Sequence, residues 1–142
     1  MLFIHGINKV HLQAQTDKSL MEITTVYAVK VKNFFFKNGF AVRGGCLLIN
    51  ANSVVLEELE FKNCSSKYPG KDIYFEAKNV TINSSTFEKT TSLKSNFRFS
   101  FRSNVSLQNS KLCLSEMEDI QEEISRLEIN STIKGNSIDN NC

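Results

Sequence analysis

Four stretches of this chain can be written one above another in the same order of apolar and polar residues. Val29, Val31, Phe34 and Phe36 form the first line, and Val54, Leu56, Leu59 and Phe61 the second. Val80, Ile82, Ser85 and Phe87 form the third, and Val105, Leu107, Ser110 and Leu112 the fourth. Successive lines lie 25, 26 and 25 residues apart. A period of this length belongs to stacked architectures, in which each unit covers the apolar face of its neighbour. Within a line the spacing is 2, then 3, then 2. That is two short strand-like pairs with a bend between them, not a helical rhythm.

A second apolar run falls between the lines. Leu47, Ile49 and Ala51 alternate with Cys46, Leu48 and Asn50. Ile73, Phe75 and Ala77 alternate with Asp72, Tyr74 and Glu76, and Phe97, Phe99 and Phe101 with Arg98, Ser100 and Arg102. The last two runs show the period-2 pattern of a strand with one apolar face. Each repeat therefore offers a strand pair with a bend, a loop and a further strand. One such unit of about 25 residues cannot bury its own apolar face; stacking the units as parallel strands about 4.8 Å apart buries them all in one column. The expected fold is all-β, a parallel β-helix of about four to five coils. A leucine-rich repeat would need its L-x-x-L-x-L-x-x-N signature in every unit, and a βαβ fold would need helical connections. The signature is missing, and Lys62–Lys71 and Glu88–Asn96 are short and polar.

The 142 residues suit a single domain, and 41% hydrophobic content with eleven Phe suffices for a core. Residues 1–28 are expected to form a degenerate first coil, with Val10 and Leu12 in one strand and Ile23, Val26 and Ala28 in another. Residues 29–113 hold the regular coils. From Ser115 the rhythm changes: Ser115 and Glu118 fit a capping box, and Met117, Ile120, Ile124 and Leu127 fall at helical spacing. Residues 114–127 therefore read as one short α-helix that caps or covers the stack, and 128–142 as a last coil and tail. The chain stops in mid-pattern at Asn140-Asn141-Cys142, as a fragment of a longer chain would.

Asn38, Asn52, Asn63, Asn79 and Asn104 lie at or beside predicted bends. Asn tolerates left-handed backbone there, and stacked Asn side chains can bond to one another along the column. In the first regular coil Phe35, Asn38, Gly44 and Gly45 make the pattern F-x-x-N followed by a glycine pair, with Cys46 next. The pair suits a tight bend that needs positive φ. This pattern resembles the F-x-x-N…G-G-A-I/L repeat of polymorphic outer-membrane proteins and is similar to repeats in very large surface proteins of ciliate protists. Cys46 stands where those repeats have Ala. Both groups have the pectin-lyase-like, right-handed parallel β-helix. The second coil keeps Phe61-Lys62-Asn63 but has Gly70-Lys71 for the glycine pair, and the third keeps Phe87 alone. The resemblance covers roughly residues 29–112. It implies a surface-exposed or secreted adhesive or structural module and brings no catalytic residue.

Cys46, Cys64, Cys113 and Cys142 lack the C-x-x-C spacing of zinc and redox sites. They allow two disulfides in three connectivities, or four free thiols. Cys46 is expected to point outward or to sit at a corner. N-x-S/T glycosylation acceptors occur at Asn63, Asn79, Asn83, Asn104 and Asn130, in keeping with secretion. The apolar start Met1–Ile4 is interrupted too soon for a signal peptide, and no run is long enough for a membrane span. The chain is then either cytosolic or a piece of a longer secreted or membrane-anchored protein.

Lys+Arg 17 against Asp+Glu 15 leaves a net +2, scattered along the repeats, which gives no nucleic-acid groove. His5 and His11 lack companions for a metal and read as surface residues, and no cofactor is expected. Asp72 and Glu76 could stand beside Arg98 and Arg102 of the next coil as a charged patch, of the kind a polysaccharide lyase or hydrolase would need. Ordinary cross-strand decoration accounts for the same residues. Arg43, Glu57 and Glu58 read as solvated. Loop Ser65–Lys71, with Pro69, and loop Thr90–Asn96 differ in content, and such loops carry specificity on a β-helix edge. The expected role is non-catalytic: a structural or adhesive module at the cell surface or outside the cell. Its partners would be other protein chains, further coils of a longer parent, or carbohydrate. A carbohydrate-active β-helix and an intracellular scaffold are the alternatives.

Overall fold

The computed structural model describes residues 1–13, 17–88, 97–100, 103–113 and 130–139; at 113, 130–133 and 138–139 it describes the backbone alone. The first coil holds β1 (Leu2–Gln13) and β2 (Met21–Thr24), and the next holds β3 (Ala28–Lys37), β4 (Phe40–Ala41) and β5 (Leu47–Asn50). Then come β6 (Ser53–Glu57), β7 (Glu60–Lys62), β8 (Ser65–Ser66) and β9 (Ile73–Glu76). After these follow β10 (Asn79–Asn83), β11 (Thr86–Phe87), β12 (Phe97–Phe99), β13 (Asn104–Gln108), β14 (Lys111–Cys113), β15 (Asn130–Lys134) and β16 (Ser137–Asp139). The described residues contain no helix, and the helix expected over 114–127 lies outside them.

Every strand pairing is parallel and joins residues one period apart. Val29, Val54, Val80 and Val105 are successive partners, as are Val31, Leu56, Ile82 and Leu107. β2, β5, β9 and β12 make a second stack, and β4 and β8 a two-stranded third. The molecule is a parallel β-solenoid of about four turns.

The 2-3-2 spacing has a backbone cause. Asn33, Glu58, Ser84, Asn109 and Gly135 occupy the same place in successive coils, and all have positive φ, between 49° and 66°. One left-handed residue turns the chain sharply and reverses the in-out parity of the strand. Residues three apart across the bend therefore both face the interior, where simple alternation would throw one outward. In the second coil the bend lies inside one strand: the first half of β3 pairs with β6 and the second half with β7.

Inward columns stack like on like. Phe36 and Phe61 lie face to face with ring centroids 4.9 Å apart. Phe61 and Phe87 are 5.0 Å apart, as are Phe75 and Phe99. These distances match the separation of paired strands, so one translation carries backbone and side chain together. The column Phe34, Leu59, Ser85, Ser110 turns polar along the axis, yet its buried hydroxyls are bonded. Ser85 Oγ accepts from the Leu59 amide (3.2 Å) and donates to the Asn83 carbonyl (3.0 Å). Ser110 Oγ does the same with the Ser85 amide (3.2 Å) and the Gln108 carbonyl (2.9 Å).

Residues 1–28 do form a coil, with β1 on β3 and β2 on β5. Val26, however, is 82% exposed, at the corner between β2 and β3, and does not continue a strand. Cys46 is fully buried, not outward, and Asp72 and Tyr74 are buried as well. All three lie where the chain leaves the corner loops, so neighbouring coils cover positions that strand alternation alone would expose.

Candidate functional site

The most elaborated part of the surface is the corner between β3 and β5 and its copy between β7 and β9. Two left-handed asparagines, Asn38 (φ 59°) and Asn63 (φ 53°), turn the chain away from the main sheet. They stack, Asn63 Nδ2 donating to Asn38 Oδ1 at 2.9 Å. The loops then run side by side. The amides of Ser65, Lys67 and Tyr68 donate to the carbonyls of Gly39, Ala41 and Val42 at 2.9, 3.0 and 3.1 Å.

Gly44 takes φ +55° at the head of the upper loop. Gly45 is required by space: a Cβ there would lie 2.0 Å from the Ser65 carbonyl oxygen and 2.5 Å from that of Lys71. This approach brings Cys46 to Cys64, and the two form a buried disulfide with Cα atoms 5.6 Å apart. It links adjacent coils through cysteines 18 residues apart in sequence. Of the four cysteines, the Cys113 side chain and Cys142 lie outside the described residues.

On this rigid base stands an apolar and aromatic edge. Phe40, Val42 and Tyr68 are 36%, 43% and 58% exposed. The Arg43 guanidinium lies over the Tyr74 ring, 5.3 Å from its centroid, and the Arg43 carbonyl accepts from Ser19 Oγ at 3.2 Å. Three coils thus contribute. Sequence reasoning placed specificity in the Ser65–Lys71 loop, which holds Tyr68, and in Thr90–Asn96, which lies outside the described residues, but passed over Phe40 and Val42. The signal was there: Phe40 and Ser65, like Arg43 and Tyr68, are one 25-residue period apart.

Three of the five glycosylation acceptors fall at one recurring strand position. Asn79, Asn104 and Asn130 are partners on adjacent strands, as are Thr81, Ser106 and Thr132 two residues on. In β10 and β13 this position reads Asn79-Val80-Thr81 and Asn104-Val105-Ser106, whereas the same position in β3 and β6 reads Ala28-Val29-Lys30 and Ser53-Val54-Val55 and carries no acceptor. Asn104 Nδ2 donates to Asn79 Oδ1 at 3.0 Å, and Asn109 Nδ2 to Asn83 Oδ1 at 3.2 Å. Asn63, Asn79 and Asn104 are exposed and Asn83 is half-buried.

Of the patch expected from Asp72, Glu76, Arg98 and Arg102, Asp72 is not on the outward face. Arg98 stands beside Tyr74, and Glu76 accepts from Asn50 Nδ2 at 2.8 Å. Arg102 lies outside the described residues.

Charge is concentrated instead on the outer face of β3 and β6. Lys30 pairs with Glu57, and Lys32 with both Glu57 and Glu58 at 3.3 Å. The hydrogen bond from Lys30 holds the Glu57 carboxyl below its usual range. The bond to Glu57 raises Lys32. His11 sits edge-on to Phe35, and His5 lines a shallow cleft with Phe3 and Lys32. Among the described residues no group of His, Cys, Asp and Glu is placed to hold a metal ion, and no helix is long and apolar enough to cross a membrane.

Comparison with protein-family models, with curated proteins and with solved structures finds no match to this chain.

Proposed function

We propose that this chain is a non-catalytic recognition module of an extracellular or cell-surface protein, and that its binding edge is the disulfide-tied corner carrying Phe40, Val42, Arg43 and Tyr68. The observation that carries the reading is the buried Cys46–Cys64 bond directly beneath that edge. Disulfides form and persist in oxidising compartments. A cross-link that holds exposed aromatic side chains on a rigid base lowers the ordering cost of binding. Tyr and Arg are the residue types that most often dominate binding at such surfaces. The likeness of Phe35, Asn38, Gly44 and Gly45 to repeats of surface adhesins points the same way, and the exposed acceptor asparagines suit a glycoprotein.

Beads coated with the chain, secreted from a eukaryotic host, should be retained on cell surfaces or extracellular matrix. The double variant Phe40→Ser, Tyr68→Ser should lose retention while melting like the parent. Equal retention of parent and variant would remove the corner from the reading, and a reduced Cys46–Cys64 pair in the secreted protein would remove the compartment.

A further inference from the structure

The cations of the corner are not balanced as those of the main sheet are. On that sheet Lys9 pairs with Glu60, Lys30 and Lys32 with Glu57, and Lys62 with Glu88. Lys37, Arg43 and Lys67 have no carboxylate partner among the described residues. The adjoining chain offers none: residues 37–56 and 61–71 contain no Asp or Glu. Asp72, which follows, is buried, and in the coil beside Arg43 the exposed Asp17 is followed at once by Lys18. Lys37 is also the register partner of Lys62, so like charges stack where the two loops begin. A surface of one sign draws ligands of the other.

The same loops set apolar side chains among these cations. Phe40 and Val42 face outward two residues apart, roughly 6.7 Å along a strand. The amides of Lys67 and Tyr68 donate to the carbonyls of Ala41 and Val42, which places Lys67 beside Val42 and Tyr68 beside Arg43. Arg43, Lys67 and Tyr68 are all exposed.

We propose that the corner binds an acidic segment of a partner protein, one that carries apolar side chains among its carboxylates. The proposal rests on the corner's being the binding edge and adds the chemistry of what binds there. An acidic polysaccharide would satisfy the cations and stack its sugar rings on the aromatic faces, but it brings no apolar side chain to cover Val42. A polypeptide covers Phe40 and Val42 with apolar side chains and brings carboxylates to Arg43 and Lys67 in one contact.

The test is fluorescence anisotropy with labelled peptides on the full, disulfide-bonded chain. A peptide of repeated Glu-Glu-Leu-Leu should bind, and more weakly as salt rises. A Lys-Lys-Leu-Leu peptide and plain polyglutamate should each bind about tenfold more weakly or worse, since each lacks one half of the match. The double variant Arg43→Gln, Lys67→Gln should lose about tenfold in affinity and most of the salt dependence. Lys67→Gln alone, at an exposed side chain with no bond in the fold, should lose part of the affinity while melting like the parent. Equal binding of the Glu and Lys peptides would overturn the proposal, as would equal binding of Glu-Glu-Leu-Leu by parent and double variant. Binding of heparin without binding of Glu-Glu-Leu-Leu would overturn it in favour of a polysaccharide. Cell-surface retention separates this failure from that of the binding edge itself. If Phe40→Ser, Tyr68→Ser abolishes retention and Arg43→Gln, Lys67→Gln leaves it intact, the edge stands and its acidic partner falls.

Discussion

At the scale of single residues, the bend position shows what one backbone angle demands. Asn33, Asn109 and Gly135 are residue types that accept positive φ readily, whereas Glu58 (φ 54°) and Ser84 (φ 50°) are not. An ordinary L-residue in the left-handed region costs roughly 1–2 kcal/mol, and Asn recovers part of it. Glu58→Asn should therefore stabilise the fold by about 0.5–1 kcal/mol, even though it gives up the exposed pair with Lys32. Urea unfolding should show a higher midpoint with an unchanged slope.

Glu57 tests the charge row on the same coil. Its folded carboxyl is held below the ordinary 4.5, chiefly by Lys30. The contribution is therefore fully present above pH 4.5 and is lost as pH falls through the lower folded value. Lys32, raised above 10.5, contributes in full below that pH and loses its share only as pH rises through the higher folded value. Melting temperature should be flat with respect to this row at neutral pH and fall in acid. Glu57→Gln should flatten the acid limb, and high salt should shrink the difference between the two proteins.

At the scale of elements, Phe61 is sandwiched between Phe36 and Phe87 at 4.9 and 5.0 Å. Phe61→Ala should cost about 3–5 kcal/mol, since the transfer term adds to a cavity that two rigid neighbouring strands cannot close. Phe61→Leu should cost far less, about 1–2 kcal/mol, because Leu112 already fills this column two coils on. Equal losses for the two variants in a denaturant titration would mean that the column is not the packed unit described here.

These columns were legible in the sequence because each is a period-2 strand repeated at a fixed interval, and Val29, Leu56, Phe61 and Phe87 all face inward as read. The corners were not legible. Cys46, Asp72 and Tyr74 alternate with core residues, so Asp72 and Tyr74 read as outward and Cys46 as outward or at a corner. What covers them comes from outside their own strand, as the Arg43 guanidinium over Tyr74 and the Cys64 sulfur on Cys46 show, a fact about the coil's cross-section that no spacing within one strand contains. The Cys46–Cys64 pairing was hidden for the same reason: its partners are brought together by Gly39 and Gly45, where backbones approach too closely for any side chain. The acceptor asparagines were plain as motifs. That Asn79, Asn104 and Asn130 share one strand position in register needed the stack.

At the scale of the whole molecule, each coil touches only its neighbours, so stability should behave as a sum over coils and their contacts. A deletion can test this if it respects the period. Asn79 and Asn104 are partners 25 residues apart, so removing residues 79–103 joins Lys78 to Asn104 and leaves Asn104 where Asn79 had been. Val105 would then stack on Val54 and Leu107 on Leu56, with the disulfide corner untouched. The shortened chain should fold with the same strand signal in circular dichroism. Its urea slope should fall with the smaller surface exposed on unfolding, and its stability should fall by one coil's share. Removing residues 79–90, about half a period, would leave Val105 and Leu107 out of phase with Val54 and Leu56. Parity and bend would then disagree along the rest of the chain, and that protein should fail to fold. If both deletions fold equally well, the apolar columns do not set the register. If neither folds, coil-to-coil contacts are not additive, and the solenoid is a single cooperative unit that tolerates no change of length.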